Sequence, residues 1–67
     1  MTFKLNSDYI ELDKLLKITG LVLTGGQAGL LIRSGQVKVD GQVEKRKDSK
    51  IRKGQKISFN QQEVTLT

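Results

Sequence analysis

Apolar positions follow a helical period in the first half of the chain and a period of two after Gly35. In "LDKLLKITG", Leu12, Leu15, Leu16 and Ile18 recur at helical spacing while Lys14 and Lys17 turn outward, and Gly20 ends this short helix. A second helix opens at Thr24, a residue suited to the N-cap, with Gln27 three positions on to complete a capping box. Ala28, Leu31 and Ile32 form its apolar stripe, and Gly35 stands where a C-terminal cap belongs. Gly25, Gly26 and Gly29 cut against this helix, since an interior glycine costs about 1 kcal/mol relative to alanine. The compensation expected is a close backbone approach by the first helix, with the approach of a ligand as the alternative.

Beyond Gly35, Val37 and Val39 face one way and Lys38 the other. Asp40-Gly41 marks a two-residue hairpin, because both central positions of that turn need positive φ. Val43 continues the returning strand, residues 45–50 read as an exposed loop, and Ile51 re-enters the core. "KGQ" at 53–55 is a further turn, after which Ile57 and Phe59 alternate with Lys56 and Ser58. "NQQ" then turns the chain into Val64 and Leu66. Near the start, Phe3 and Leu5 alternate with polar neighbours, and "YIEL" at 9–12 extends or follows that segment as an edge strand. The pattern predicts an α+β fold: two short packed helices against a small, mostly antiparallel β-sheet with a valine-rich hairpin. With no proline, repeat or low-complexity stretch, residues 1–67 are expected to form one domain.

Composition narrows the chemistry. There is no cysteine and no histidine, which excludes disulfides and zinc sites built on thiolate or imidazole. No metal or cofactor is expected. No segment approaches the roughly 18 apolar residues of a membrane span, and the first residues lack a signal-peptide layout, so the expected location is the cytoplasm. Charge is uneven. Residues 1–36 hold four basic and three acidic side chains, whereas residues 37–67 hold eight basic and four acidic. Between Lys45 and Lys56 there are seven basic residues against the single acid Asp48. Such asymmetry points to an anionic partner, nucleic acid first among them; the bland alternative is a solvated surface that keeps a small protein in solution.

Three stretches in order, "LDKLLKITGL", "QAGLLIRSGQVKVDGQV" and "KIRKGQKISF", resemble the RNA-binding domain named after small-subunit ribosomal protein S-four, also called the αL motif. Residues 10–59 cover essentially the whole motif. The resemblance extends to free-standing bacterial members of the YbcJ-like and YaaA-like kind, through Gly25, Gly26 and Ala28 and the basic loop after the hairpin. It implies binding to structured RNA, ribosomal or transfer RNA, in ribosome biogenesis or translation, by a protein expected to be a monomer with no small-molecule substrate.

Carried over position by position, the resemblance places Lys14 on the first helix, Arg33 near the end of the second, Lys38 in the hairpin, and Lys45, Arg46, Lys47 and Lys50 in the loop. Arg52, Lys53 and Lys56 extend the patch, with less support from the family pattern. Arginine grips a phosphate with two parallel hydrogen bonds and lysine offers a point charge, so Arg46 and Arg33 rank above any single lysine. Each has a structural alternative: a solvated face for Lys14, protection of a short strand from edge pairing for Lys38, and neutralisation of the helix C-terminus for Arg33. Thr24-Gly25, Gly29 and Glu11 replace basic residues usual in the family. The contacts are therefore expected to shift from the helices to the hairpin and loop.

Other classes fit less well. Catalysis lacks the usual bases and thiolate nucleophiles. A DNA-reading helix would have only Gln27, Arg33 and Ser34 to offer base edges. No helix combines a bulky apolar face with a basic one for a membrane surface. An adaptor that docks on an acidic protein or a ribosomal particle is the remaining alternative to RNA binding.

Overall fold

A computed structural model describes residues 1–67. Its helices are α1 (Leu12–Ile18) and α2 (Gly25–Arg33). Its strands are β1 (Thr2–Phe3), β2 (Ile10–Glu11), β3 (Val37–Val39), β4 (Gln42–Val43), β5 (Lys50–Ile51), β6 (Lys56–Phe59) and β7 (Gln62–Leu66). Five strands form a sheet in the order β1-β7-β6-β3-β4, while β2 and β5 pair as a separate antiparallel ribbon. The main sheet is antiparallel except where β1 runs parallel to β7, Thr2 beside Thr65 and Phe3 beside Leu66. The arrangement is α+β, as the periodicity predicts. "YIEL" forms a strand that follows β1 and pairs with Lys50–Ile51 instead of with β1.

The helix punctuation is chemical and local. Thr24 Oγ1 accepts from Gln27 N at 3.0 Å, as the capping box requires, but the Gln27 side chain reaches one residue further and accepts from Leu23 N at 3.0 Å. Both helices end in the same way. Gly20 (φ 80) and Gly35 (φ 83) take the left-handed conformation after each helix. Leu21 N donates back to Leu16 O at 3.1 Å and Gln36 N to Leu31 O at 3.2 Å, which satisfies carbonyls the helices leave free.

Leu12, Leu15 and Leu16 from α1 and Ala28 and Ile32 from α2 meet Val37, Ile57, Val64 and Leu66 of the sheet and Ile51 of the ribbon, all of them buried. Phe3, Leu31, Val39 and Phe59 pack at the margin of this core. Ile18 does not join it: α1 is only seven residues long, its last residue points outward, and Val22 beyond the turn is buried in its place. β3 lies between β6 and β4, so Lys38 is on an interior strand and has no edge to protect.

The hairpin tips are tied to the rest of the sheet. Asp40 (φ 52) and Gly41 (φ 85) make the expected turn between Val39 and Gln42. The Asp40 carboxylate accepts from Lys56 N at 3.0 Å and Gln55 Nε2 at 3.2 Å, joining that tip to the 52–55 turn. Replacing Asp40 with alanine is expected to lower stability by about 1–2 kcal/mol, from two lost hydrogen bonds and the strain of a left-handed alanine. Asp40→Asn should lose less, and urea midpoints of the two variants check the ranking. Asn60 (φ 52) and Gln61 (φ 65) make a second two-residue turn between Phe59 and Gln62. Relief of roughly 1–2 kcal/mol of left-handed strain at Gln61 exceeds glycine's entropic cost of about 0.5–1 kcal/mol. Gln61→Gly is therefore expected to raise the same midpoint, and a fall would contradict the strain.

Candidate nucleic-acid interface

Residues 44–49, between β4 and β5, carry the densest positive charge, and their backbone is fixed by α1. The residue before α1, Glu11, makes no side-chain cap. Two N–H groups of the first turn donate to the loop instead, Leu12 N to Ser49 O and Asp13 N to Lys47 O, both at 2.9 Å. Groups that a helix cannot satisfy internally are thus satisfied by the loop's carbonyls. Glu44 N also donates to Val37 O at 3.0 Å, and Ser49 N closes a turn on Arg46 O at 3.2 Å.

With the backbone held, the side chains spread in two directions. Lys45 and Lys47 run over α2 and its C-terminal turn: the Lys47 Cδ lies 3.8 Å from the point a Cβ on Gly29 would occupy, and the Lys45 Cε 3.6 Å from that of Gly35. The close approach expected at the glycines is not found: the Lys47 stem over Gly29 stands at ordinary van der Waals distance from where a Cβ would be, and Gly25 and Gly26 face open space. No atom of α1 comes near any of the three. Arg33, one turn past Gly29, ends the helix on the same side.

Carboxylates divide the cations into two groups. The chain's ion pairs are Lys14–Glu11 at 3.0 Å, Arg46–Glu44 at 3.3 Å and Lys56–Glu63 at 3.9 Å. Arg46, first by fork geometry, directs both Nη2 and Nε (3.4 Å) at Glu44 Oε1. It still lines a shallow depression with Asp48, Ser49 and Lys50. The hydrogen bond that Lys14 donates to Glu11, followed by the charge of that carboxylate, raises the Lys14 pKa above the ordinary lysine value. Lys14 thus keeps its proton at neutral pH, but beside a carboxylate that offsets it. Lys45, Lys47, Lys50, Arg52 and Arg33 have no such partner.

Lys50 belongs to β5, opposite Glu11, and is not the end of a loop. It alternates with Arg52 about the buried Ile51, so both point outward over Tyr9. Lys50 Nζ lies 5.0 Å and Arg52 Cζ 5.8 Å from the ring centroid. Lys38 is elsewhere: with Val37 and Val39 turned to the core, its side chain stands on the sheet face away from the helices. Lys53 sits at the tip of the turn closed by Gln55 N and Arg52 O at 3.2 Å. Sequence reasoning missed Glu44 as the partner of Arg46, although a single intervening position is all that separates charge from countercharge. It also missed the docking of Lys50 and Arg52 on Tyr9, for which only their alternation about Ile51 was a signal.

The sequence model of the S4 domain family matches residues 3–67, and the chain belongs to that family. The Escherichia coli (strain K12) protein named "Putative RNA-binding protein YbcJ" is 51% identical over 59 residues, covering 87% of this chain and 84% of the relative. The Shigella flexneri protein YbcJ, named as uncharacterized, matches to the same extent, 51% over 59 residues. The solution structure of Escherichia coli YbcJ, described as revealing an αL motif involved in RNA binding, aligns with a TM-score of 0.76 at 46% identity. That alignment covers 98% of this chain and 85% of the other. The two helices and mostly antiparallel sheet described above are the αL fold.

The loop's attachment to α1 has a direct readout. The N–H groups of Leu12 and Asp13 have protein acceptors, whereas those of Gly25 and Gly26 at the start of α2 have none. Amide hydrogen exchange followed by NMR is expected to be markedly slower at Leu12 and Asp13. Equal rates at the two helix starts would mean that the loop does not hold α1.

Proposed function

We propose that this protein binds structured RNA, ribosomal or transfer RNA, through phosphate contacts from the 44–49 loop and the adjoining ends of α2 and β5, as a cytoplasmic monomer serving ribosome biogenesis or translation. The observation that carries this reading is the set of cations without carboxylate partners, Lys45, Lys47, Lys50 and Arg33, gathered around a loop whose backbone is tied to α1 and β3. Membership of the S4 domain family and the names given to the YbcJ relative and its structure support the same partner. No reaction is part of the proposal.

Aromatic content favours folded over single-stranded RNA. Phe3 and Phe59 pack against the core, which leaves Tyr9 as the one exposed ring, and cations already stand over it. A single-strand binder would need a row of free rings for base stacking. Recognition of shape and phosphate position suits this surface. Arg46 takes part by exchanging Glu44 for a phosphate oxygen, since an exposed ion pair is worth only about 0–1 kcal/mol.

A second reading, an adaptor docking on an acidic protein or a ribosomal particle, is favoured by two exposed leucines beside the same helix, Leu23 at 83% and Leu30 at 60%. Fluorescence-anisotropy titration of labelled tRNA, a structured rRNA fragment and duplex DNA separates the two. If about four phosphates are contacted, affinity for folded RNA is expected to fall on the order of 100-fold between 50 and 200 mM salt, on the slope for duplex DNA. Lys45→Ala/Lys47→Ala should weaken binding and flatten that slope. Absence of binding to any free nucleic acid near physiological salt would overturn RNA recognition and favour the adaptor.

A further inference from the structure

We infer that Tyr9 is a positioning residue for RNA binding: its ring holds Lys50 and Arg52 as a two-cation phosphate clamp on the β2–β5 ribbon, beside the loop. The inference rests on the RNA-binding reading and deepens it by giving Tyr9, which the family resemblance did not single out, a part in holding two of its cations.

The ribbon's register produces the arrangement. Ile10 pairs with Ile51 and Glu11 with Lys50, which sets Tyr9 opposite Arg52. Ile51 is buried, so alternation turns Tyr9, Lys50 and Arg52 to the outer side. Tyr9 stays 41% exposed, with both cationic heads within about 6 Å of its ring, the range of cation–π attraction. Arg52 is tethered a second time, through Nη1 to the carbonyl of Asp8 at 3.5 Å. One N–H of its guanidinium is used there, and the others have no partner in the chain.

The surrounding charges leave the clamp open to an anion. Glu11 stands opposite Lys50, but its carboxylate is held by Lys14 at 3.0 Å. Asp8 contributes its carbonyl, and no carboxylate lies within ion-pair distance of Lys50 or Arg52. Two like charges gathered on one neutral ring repel each other, and the ring quadrupole offsets that only in part. A phosphate oxygen between them removes the repulsion and takes up the free guanidinium donors. Lys50 also lines the depression shared with Arg46, which makes the clamp continuous with the loop surface.

The test is RNA affinity and its salt dependence, measured for wild type, Tyr9→Phe, Tyr9→Ala, Lys50→Ala/Arg52→Ala and the triple variant, with Lys45→Ala/Lys47→Ala as the loop control. Thermal melts confirm that each variant is folded. Tyr9→Phe keeps the ring face and is expected to bind as wild type does. Tyr9→Ala should weaken binding about 3-fold, the scale of an exposed cation–π contact. Lys50→Ala/Arg52→Ala should lower the salt slope by about 1, one phosphate's worth. Adding Tyr9→Ala to that double variant should change nothing more, because the ring acts through the two cations.

A further loss in the triple variant, or a loss in Tyr9→Phe, would overturn the positioning role and assign the tyrosine a contact of its own. Should wild type bind folded RNA and the loop control weaken it while all ribbon variants bind normally, the clamp fails and the RNA reading stands. Failure of wild type to bind RNA would overturn both.

Discussion

The first turn of α1 donates its N–H groups to the carbonyls of Ser49 and Lys47 because Glu11, in the capping position, offers no side-chain acceptor. Much of the molecule's geometry follows from that contact. It closes the long connection between β4 and β5 onto the helix pair and delivers Lys50–Ile51 to the only strand it pairs with, Ile10–Glu11. It also lays the loop's lysines along α2. A capping aspartate or serine at position 11 would compete with the loop for the same donors, and the basic segment would lose its seat.

On the proposed RNA-binding surface some cations have no countercharge and others have it only in exposed pairs. Glu44 and Glu11 engage Arg46 and Lys14 in exposed pairs, which temper repulsion in the free protein without fixing the charges for good. Lys45 and Lys47 are exposed and lay their aliphatic stems over α2 and its C-terminal turn, which leaves the ammonium in water. Those stems lie over Gly29 and Gly35 at ordinary contact distance, while Gly25 and Gly26 face open space. A helix with three glycines in nine residues persists here because Ala28 and Ile32 are buried in the core.

Punctuation was legible in the sequence wherever its chemistry is local. Thr24 with Gln27, the stops at Gly20 and Gly35, and the Asp40-Gly41 turn each depend on a few consecutive residues, and all form. The β2–β5 ribbon was not legible: strands of two residues carry no period, and their partners lie some forty positions apart. The loop was assigned one residue too many for the same reason, since Lys50 is a strand residue only by virtue of Glu11. Charge density marks the basic segment in the sequence, but a count of charges has no direction. It could not separate Lys38, on the far face of the sheet, from Lys47, or show that Arg46 already has a carboxylate. The Lys47 stem that lies over Gly29 comes from eighteen positions away, beyond any local reading.

The parallel pairing of β1 with β7 is the most distant contact in the fold. α1 and α2 are neighbours in sequence and the β3–β4 and β6–β7 hairpins turn on two residues each, so these units assemble from short-range contacts. Thr2–Phe3 meets Thr65–Leu66 only by closing almost the whole length of the chain, the most costly loop in the fold. Without those two residue pairs the edge of β7 would stand open to other strands. The sheet's protection on that side thus depends on the segment that is most distant in sequence, at the margin opposite β4 and under no demand from the basic surface.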